Sequence, residues 1–122
     1  MTVQKLDETM LVEMTKTALT WYETNAMRTA QMNGEIPPNW YLALGLTGES
    51  GEVAEIIKKV ERHGRELDKK HLCEELGDVL WYLTVLAHAN GLSLSQVVVE
   101  NINKLRARYP EGFVKRGNTN AE

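Results

Sequence analysis

Leu46-Thr47-Gly48-Glu49-Ser50-Gly51-Glu52-Val53-Ala54-Glu55-Ile56-Ile57-Lys58-Lys59-Val60 places its apolar residues at helical spacing. With successive positions turned by about 100°, Leu46, Val53, Ile56, Ile57 and Val60 share one arc; Glu49 falls inside it and Glu52 at its edge. A second stretch repeats the arrangement. Leu72, Leu76, Val79, Leu83 and Leu86 form its arc, with Glu75 on the border beside Tyr82 and Asp78 just beyond. Three residues advance a helix by about 300°, so the acids of each pair, Glu49 with Glu52 and Glu75 with Asp78, point to one side one turn apart. Inward carboxylates are costly through desolvation and mutual repulsion, so a metal, a basic partner or protonation must compensate them. Oxygen-only ligands suit Mg²⁺, or Mn²⁺ in its place, rather than zinc.

Working outward, helical periodicity continues in both directions, and the segments are too long and too rich in Leu, Glu, Lys and Met for strands. Four helices are expected. The first runs from about Val3 to Met32, with Leu6, Met10, Met14, Ala18, Trp21 and Tyr22 as its apolar side, and Asn33-Gly34 and Pro37-Pro38 end it. Asn39 is a candidate cap for the second, which reaches Arg62 or His63 before Gly64. Asp68 caps a third that runs to about Asn90, and Ser93 with Gln96 reads as a capping box for a fourth ending at Arg108 before Pro110 and Gly112. The fold class is therefore all-α, a four-helix bundle in one helical domain over residues 1–116, with a frayed polar tail at 117–122.

The whole chain narrows the classes further. Its 122 residues suffice for one domain, and its net charge of −3, from 14 basic and 17 acidic side chains, argues against a nucleic-acid binder held by phosphate neutralisation. The lone Cys73 leaves no internal disulfide and no cysteine zinc site, and it fits a reducing cytoplasm. No apolar run approaches the roughly 20 residues that span a bilayer, and the N-terminus lacks a signal-peptide pattern, so a cytoplasmic protein without a membrane partner is expected. There is no glycine-rich phosphate loop ending in Lys-Ser or Lys-Thr, and no histidine follows a glutamate at i+3 as di-iron bundles require. Gly48, Gly51 and Gly77 flank the acids inside helical pattern, where each costs roughly 1 kcal/mol against alanine; such a cost suggests close approach of backbone or ligand.

These residues also resemble a family. Gly45 to Glu55, Lys58-Lys59, Arg62-His63-Gly64, Glu74 to Leu83, then Asn101, Lys104-Leu105 and Arg108-Tyr109-Pro110 are similar to the MazG-like nucleoside triphosphate pyrophosphohydrolases over roughly residues 20 to 115. The family pattern of Glu-x-x-Glu, a spacer and Glu-x-x-Asp is matched by Glu49, Glu52, Glu75 and Asp78. The resemblance implies that these four bind Mg²⁺ and that a nucleoside triphosphate is cleaved between its α and β phosphates. It also implies a homodimer or homotetramer, in keeping with more apolar surface than one thin bundle covers.

Substrate contacts are then expected from several places. One carboxylate could accept the proton of the attacking water, with Glu52 and Glu55 the candidates, although Glu55 equally suits an ion pair with Lys58 or Lys59. Lys59, two turns after Glu52, and the stripe Asn101, Lys104 and Arg108 are candidates for phosphate; Arg106 falls off that stripe and is expected to face solvent. Tyr82, one turn after Asp78, is a candidate to stack on the base or hold the sugar, with Trp21, Trp40 and Trp81 as alternatives. Two rivals stay open: a base-restricted dUTPase or dCTPase relative, and a non-catalytic helical binding or regulatory module whose acids are a structural cation site.

Overall fold

The computed structural model describes residues 8–112; the expected helix start at Val3, with Leu6, and the tail after Phe113 lie outside them. Four helices follow in order, α1 (Glu8–Met27), α2 (Asn39–His63), α3 (Lys69–Ala89) and α4 (Leu94–Arg108). Among the described residues there is no strand, and none of the helices is long and apolar enough to cross a membrane.

Local chemistry sets most of the boundaries. Asp68 accepts a hydrogen bond from the His71 backbone N–H at 3.0 Å and opens α3. Ser93 and Gln96 close a reciprocal capping box at the start of α4: the Ser93 N–H donates to Gln96 Oε1 at 2.8 Å, and the Gln96 N–H to Ser93 Oγ at 3.1 Å. Gly64 ends α2 in the left-handed region, φ 60°, which an L side chain rarely adopts.

Two boundaries differ from the sequence expectation. Helix α1 stops at Met27, five residues before Met32. Both the N–H and the hydroxyl of Thr29 donate to the Ala26 carbonyl, at 3.1 and 2.9 Å, which tightens the last turn and takes its acceptor. Met32 and Glu35 then exchange backbone hydrogen bonds of 2.8 and 3.1 Å across Asn33 (φ 54°) and Gly34 (φ 80°), the geometry of a two-residue hairpin turn. Asn39 does not cap α2. Pro38 occupies the capping position without a side-chain bond, and Asn39, the first helical residue, instead pairs its amide with that of Asn90 at 3.1 and 3.0 Å.

That amide pair ties the start of α2 to the end of α3, so the two helices run antiparallel. Helix α3 is central. It packs against α2 along most of its length and against α1 and α4 elsewhere, whereas α2 touches neither α1 nor α4. The core is a small cluster of Ala30, Leu42 and Val85, with Met27, Ile36, Trp81, Tyr82 and Leu86 packed around it. Thr84 is fully buried but satisfied, its hydroxyl donating to the Leu80 carbonyl at 2.7 Å. Helix α1 is fastened to α3 by polar contacts as well: Trp81 Nε1 donates to Thr29 Oγ1 at 2.8 Å, and His88 Nδ1 lies 3.7 Å from Glu23 Oε1.

Much apolar surface stays outside. Trp21, Trp40 and Leu44 are each about two-thirds exposed, and Leu76, assigned by periodicity to the inner arc of α3, is half exposed. Helix α4 meets only a small part of α3.

Candidate metal centre

Antiparallel pairing brings the middle of α2 opposite the first half of α3. Carboxylate oxygens of Glu49, Glu75 and Asp78 converge there within 4.8 Å of one another. Glu49 and Glu75 are half-buried and Asp78 is exposed, so the cluster opens to solvent at one side. Glu52 does not join this triad. It is exposed one turn along α2, and its charge still acts on Glu49.

The electrostatics of the cluster are strained. Glu49 holds its proton above the ordinary glutamate range, first through burial, then through a hydrogen bond with the Glu75 carboxyl and the charges of Asp78, Glu75 and Glu52. The nearest cationic candidate on α3 is His71, whose Nδ1 lies 4.0 Å from Glu75 Oε1, too far for a hydrogen bond. Three convergent carboxylate oxygens, one of them reluctant to ionise through burial and the negative charges around it, fit a hard divalent cation.

Tyrosines border the acids. Tyr82 is half-buried: its ring lies against the backbone of Gly45, where a Cβ would sit inside the ring's contact distance, and Trp81 packs edge-on at 4.9 Å. Its hydroxyl bonds to that of Tyr41, and burial, foremost, raises its pKa, with smaller contributions from Tyr41, Glu49 and Asp78. The close approach expected at the flanking glycines therefore occurs at Gly45, while Gly48, Gly51 and Gly77 meet nothing within 4 Å. On α1, the pKa of the Tyr22 hydroxyl is raised by burial and then by the charge of Asp78. Sequence reasoning placed Tyr22 on an apolar side and saw no electrostatic link between it and Asp78, because the two lie on helices distant in the chain. His71 carried one readable signal, its i, i+4 spacing from Glu75.

The remaining candidates lie elsewhere along the chain. Lys59 is exposed on α2, and Glu55 forms an ion pair with Lys58 at 3.8 Å. Trp40, nine residues before Glu49, lies on the opposite side of α2, and Trp21 is exposed on α1. Asn101 and Lys104 line a hollow of about 600 Å³ with Leu92, Gln96, Val97 and Glu100, and Arg108 is exposed at the end of α4. Helix α4 makes no close backbone approach to α2, the helix that carries Glu49, and all three residues are exposed. Arg106, expected to face solvent, is exposed but borders an apolar groove between α1 and α4.

Fold and site together define an all-α domain with an oxygen-donor cluster set between two antiparallel helices. The chain belongs to the MazG nucleotide pyrophosphohydrolase domain family, whose model matches residues 40–113. It is similar to the gene 37 protein of Mycobacterium phage L5, 37% identical over 84 residues that cover 66% of this chain and 74% of the phage protein. It is also similar to dCTP pyrophosphatase 1 of Mus musculus and of Bos taurus, in each case 39% identical over 75 residues that cover 57% of this chain and 44% of the relative. The chain thus spans less than half the length of these two mammalian proteins. No solved structure matches it significantly.

Proposed function

We propose that this protein is a Mg²⁺-dependent nucleoside triphosphate pyrophosphohydrolase that cleaves a (d)NTP between its α and β phosphates, releasing (d)NMP and pyrophosphate for control or cleansing of the cytoplasmic nucleotide pool. The observation that carries this reading is the convergence of Glu49, Glu75 and Asp78 in a domain of the MazG family. These three residues would hold the cation, with Glu52 beside them. When bound, Mg²⁺, or Mn²⁺ in its place, neutralises the triphosphate and acidifies the attacking water. Exposed Glu52, outside the triad yet close enough to act on Glu49, is the carboxylate best placed to accept that water's proton.

Phosphate would be met by Lys59 on the same protomer. Asn101, Lys104 and Arg108 would reach it from a second copy in a homodimer or homotetramer, which would also bring Trp21 or Trp40 to the base. The dispersal of these residues in one chain and the uncovered apolar surface support such an assembly. A narrower reading, a dCTP-directed enzyme, is favoured by the similarity to the two mammalian dCTP pyrophosphatases.

The test is product analysis after incubation with each common NTP and dNTP, with Mg²⁺ or EDTA, beside an Asp78→Asn control. Monophosphate and pyrophosphate formed by the wild type, and lost with EDTA and in the control, are expected, and the ranking of substrates separates the broad from the dCTP-directed reading. No turnover with any nucleotide in Mg²⁺ or Mn²⁺, from folded protein, would overturn the enzyme in favour of a non-catalytic helical module.

A further inference from the structure

Asparagine is followed by glycine at two places among the described residues, Asn33-Gly34 and Asn90-Gly91, and all four residues are exposed. With no Cβ of its own, glycine leaves its backbone nitrogen free to approach the side-chain carbonyl of the residue before it. Attack there requires that the nitrogen be released from any acceptor and that the asparagine amide be able to turn. Those conditions separate the two sites. Asn90 Nδ2 donates to Asn39 Oδ1 at 3.0 Å and to the Leu86 carbonyl at 2.8 Å, while Asn90 Oδ1 accepts from Asn39 Nδ2 at 3.1 Å. The Gly91 N–H donates to the His88 carbonyl at 3.1 Å, so the amide and the attacking nitrogen are both tied down. At the other site neither the Asn33 side chain nor the Gly34 N–H has a hydrogen-bond partner among the described residues, and the turn rests on the two backbone bonds between Met32 and Glu35. The space beside Gly34 is open, with nothing within 4 Å of where a Cβ would stand.

We propose that Asn33 is a site of spontaneous deamidation in the native protein, whereas Asn90, in the same dipeptide, is protected by its hydrogen bonds. The Gly34 nitrogen bonds to Asn33 Cγ and gives its proton to solvent; the Cγ–Nδ2 bond breaks, ammonia leaves, and a five-membered imide closes. Water then adds to either imide carbonyl. One opening leaves aspartate at position 33, and the other leaves isoaspartate, with the main chain running through the side chain. One water is consumed and one ammonia released, with no change of oxidation state. Aspartate is compatible with the φ of 54° at this position, since it too tolerates left-handed backbone. Isoaspartate instead adds a carbon to a two-residue turn whose flanks, Ala30 and Ile36, are set in the core, and either product adds a negative charge near Glu35.

The experiment is incubation of the full chain at pH 8, native and in urea, followed by tryptic peptide mapping. Cleavage after Arg28 and after Lys70 puts Asn33 and Asn90 in separate peptides, and fragment spectra with enzymatic methylation of isoaspartate locate the product. In urea the two sites should react at similar rates. In the native chain Asn33 should react about ten-fold faster than Asn90 or more, because several hydrogen bonds must open at Asn90 and none at the Asn33 amide. Asn39→Ala, which deletes the facing amide, should speed Asn90 about three-fold or more and leave Asn33 unchanged, with melting recorded to show that the variant is folded. Asn33→Gly, which also accepts a positive φ, should remove the faster reaction. Equal native rates, a faster Asn90, or a native Asn33 that stays intact while the urea sample reacts would overturn the proposal. An Asn90 rate indifferent to Asn39→Ala in folded protein would overturn the protection assigned to the amide pair.

Discussion

Glu49 is the residue on which the chemistry of the site turns. Its carboxyl is raised in the folded chain, so the folded state without metal binds more protons than the unfolded one as pH rises from the ordinary glutamate value. The stability it contributes is complete below that value and is lost as pH climbs through its raised pKa. A divalent cation competes with the retained proton. Stabilisation by Mg²⁺, read as a melting-temperature shift, should accordingly be larger at pH 8 than at pH 5; an equal shift at both would separate metal binding from Glu49. Glu75→Gln removes one of the charges acting on Glu49 and should raise metal-free stability by up to about 1 kcal/mol while abolishing the Mg²⁺ shift. A response to Mg²⁺ like that of the wild type would contradict the site. At this scale the acids were legible because spacing along one helix fixes the side to which they point. Glu52 was grouped with them since three residues almost complete a turn; Glu75 and Asp78, at the same spacing, meet in the triad, whereas Glu52 stays exposed one turn along α2.

Between elements, the α2–α3 pair is registered at three levels: the Asn39–Asn90 amides at one end, Tyr82 on Gly45 next, and the carboxylates beyond. Any change that parts the helices at the second level also spreads the third. Gly45→Ala should cost about 1–3 kcal/mol in urea unfolding and diminish Mg²⁺ binding, and combining it with Tyr82→Ala should cost less than the sum of the two single changes. Additive losses would show that Gly45 and Tyr82 do not share a contact. The caps at Asp68, Ser93 and Gly64 could be read in advance because each is satisfied within a few residues of itself. The end of α1 and the role of Asn39 could not. A threonine competing for one carbonyl, and an amide answering another 51 residues away, are decided by the fold.

As a whole, the molecule covers little of its own apolar surface. The groove between α1 and α4, about 380 Å³ and lined by Leu11, Val12, Leu19, Val98 and Ile102 among others, adds to the exposed tryptophans. Under the proposed assembly, light scattering after size-exclusion chromatography should give a dimer or tetramer at micromolar concentration, with melting that depends on concentration. A monomer at every concentration would remove the second copy's Asn101, Lys104 and Arg108 from the site. Composition announced excess apolar surface, but periodicity could not say which helix faces would stay bare, as Leu76 illustrates. Stability within the chain is also uneven. Gly48, Gly51 and Gly77 weaken the helical turns that carry the acids, and in the protomer no packing repays them. Those turns are where the backbone of metal-free protein should breathe most readily, exchanging amide hydrogens faster than the rest of α2 and α3 and slowing when Mg²⁺ is added. Cation binding would then act as a brake on local opening, making these two helices a recorder of whether the site is filled.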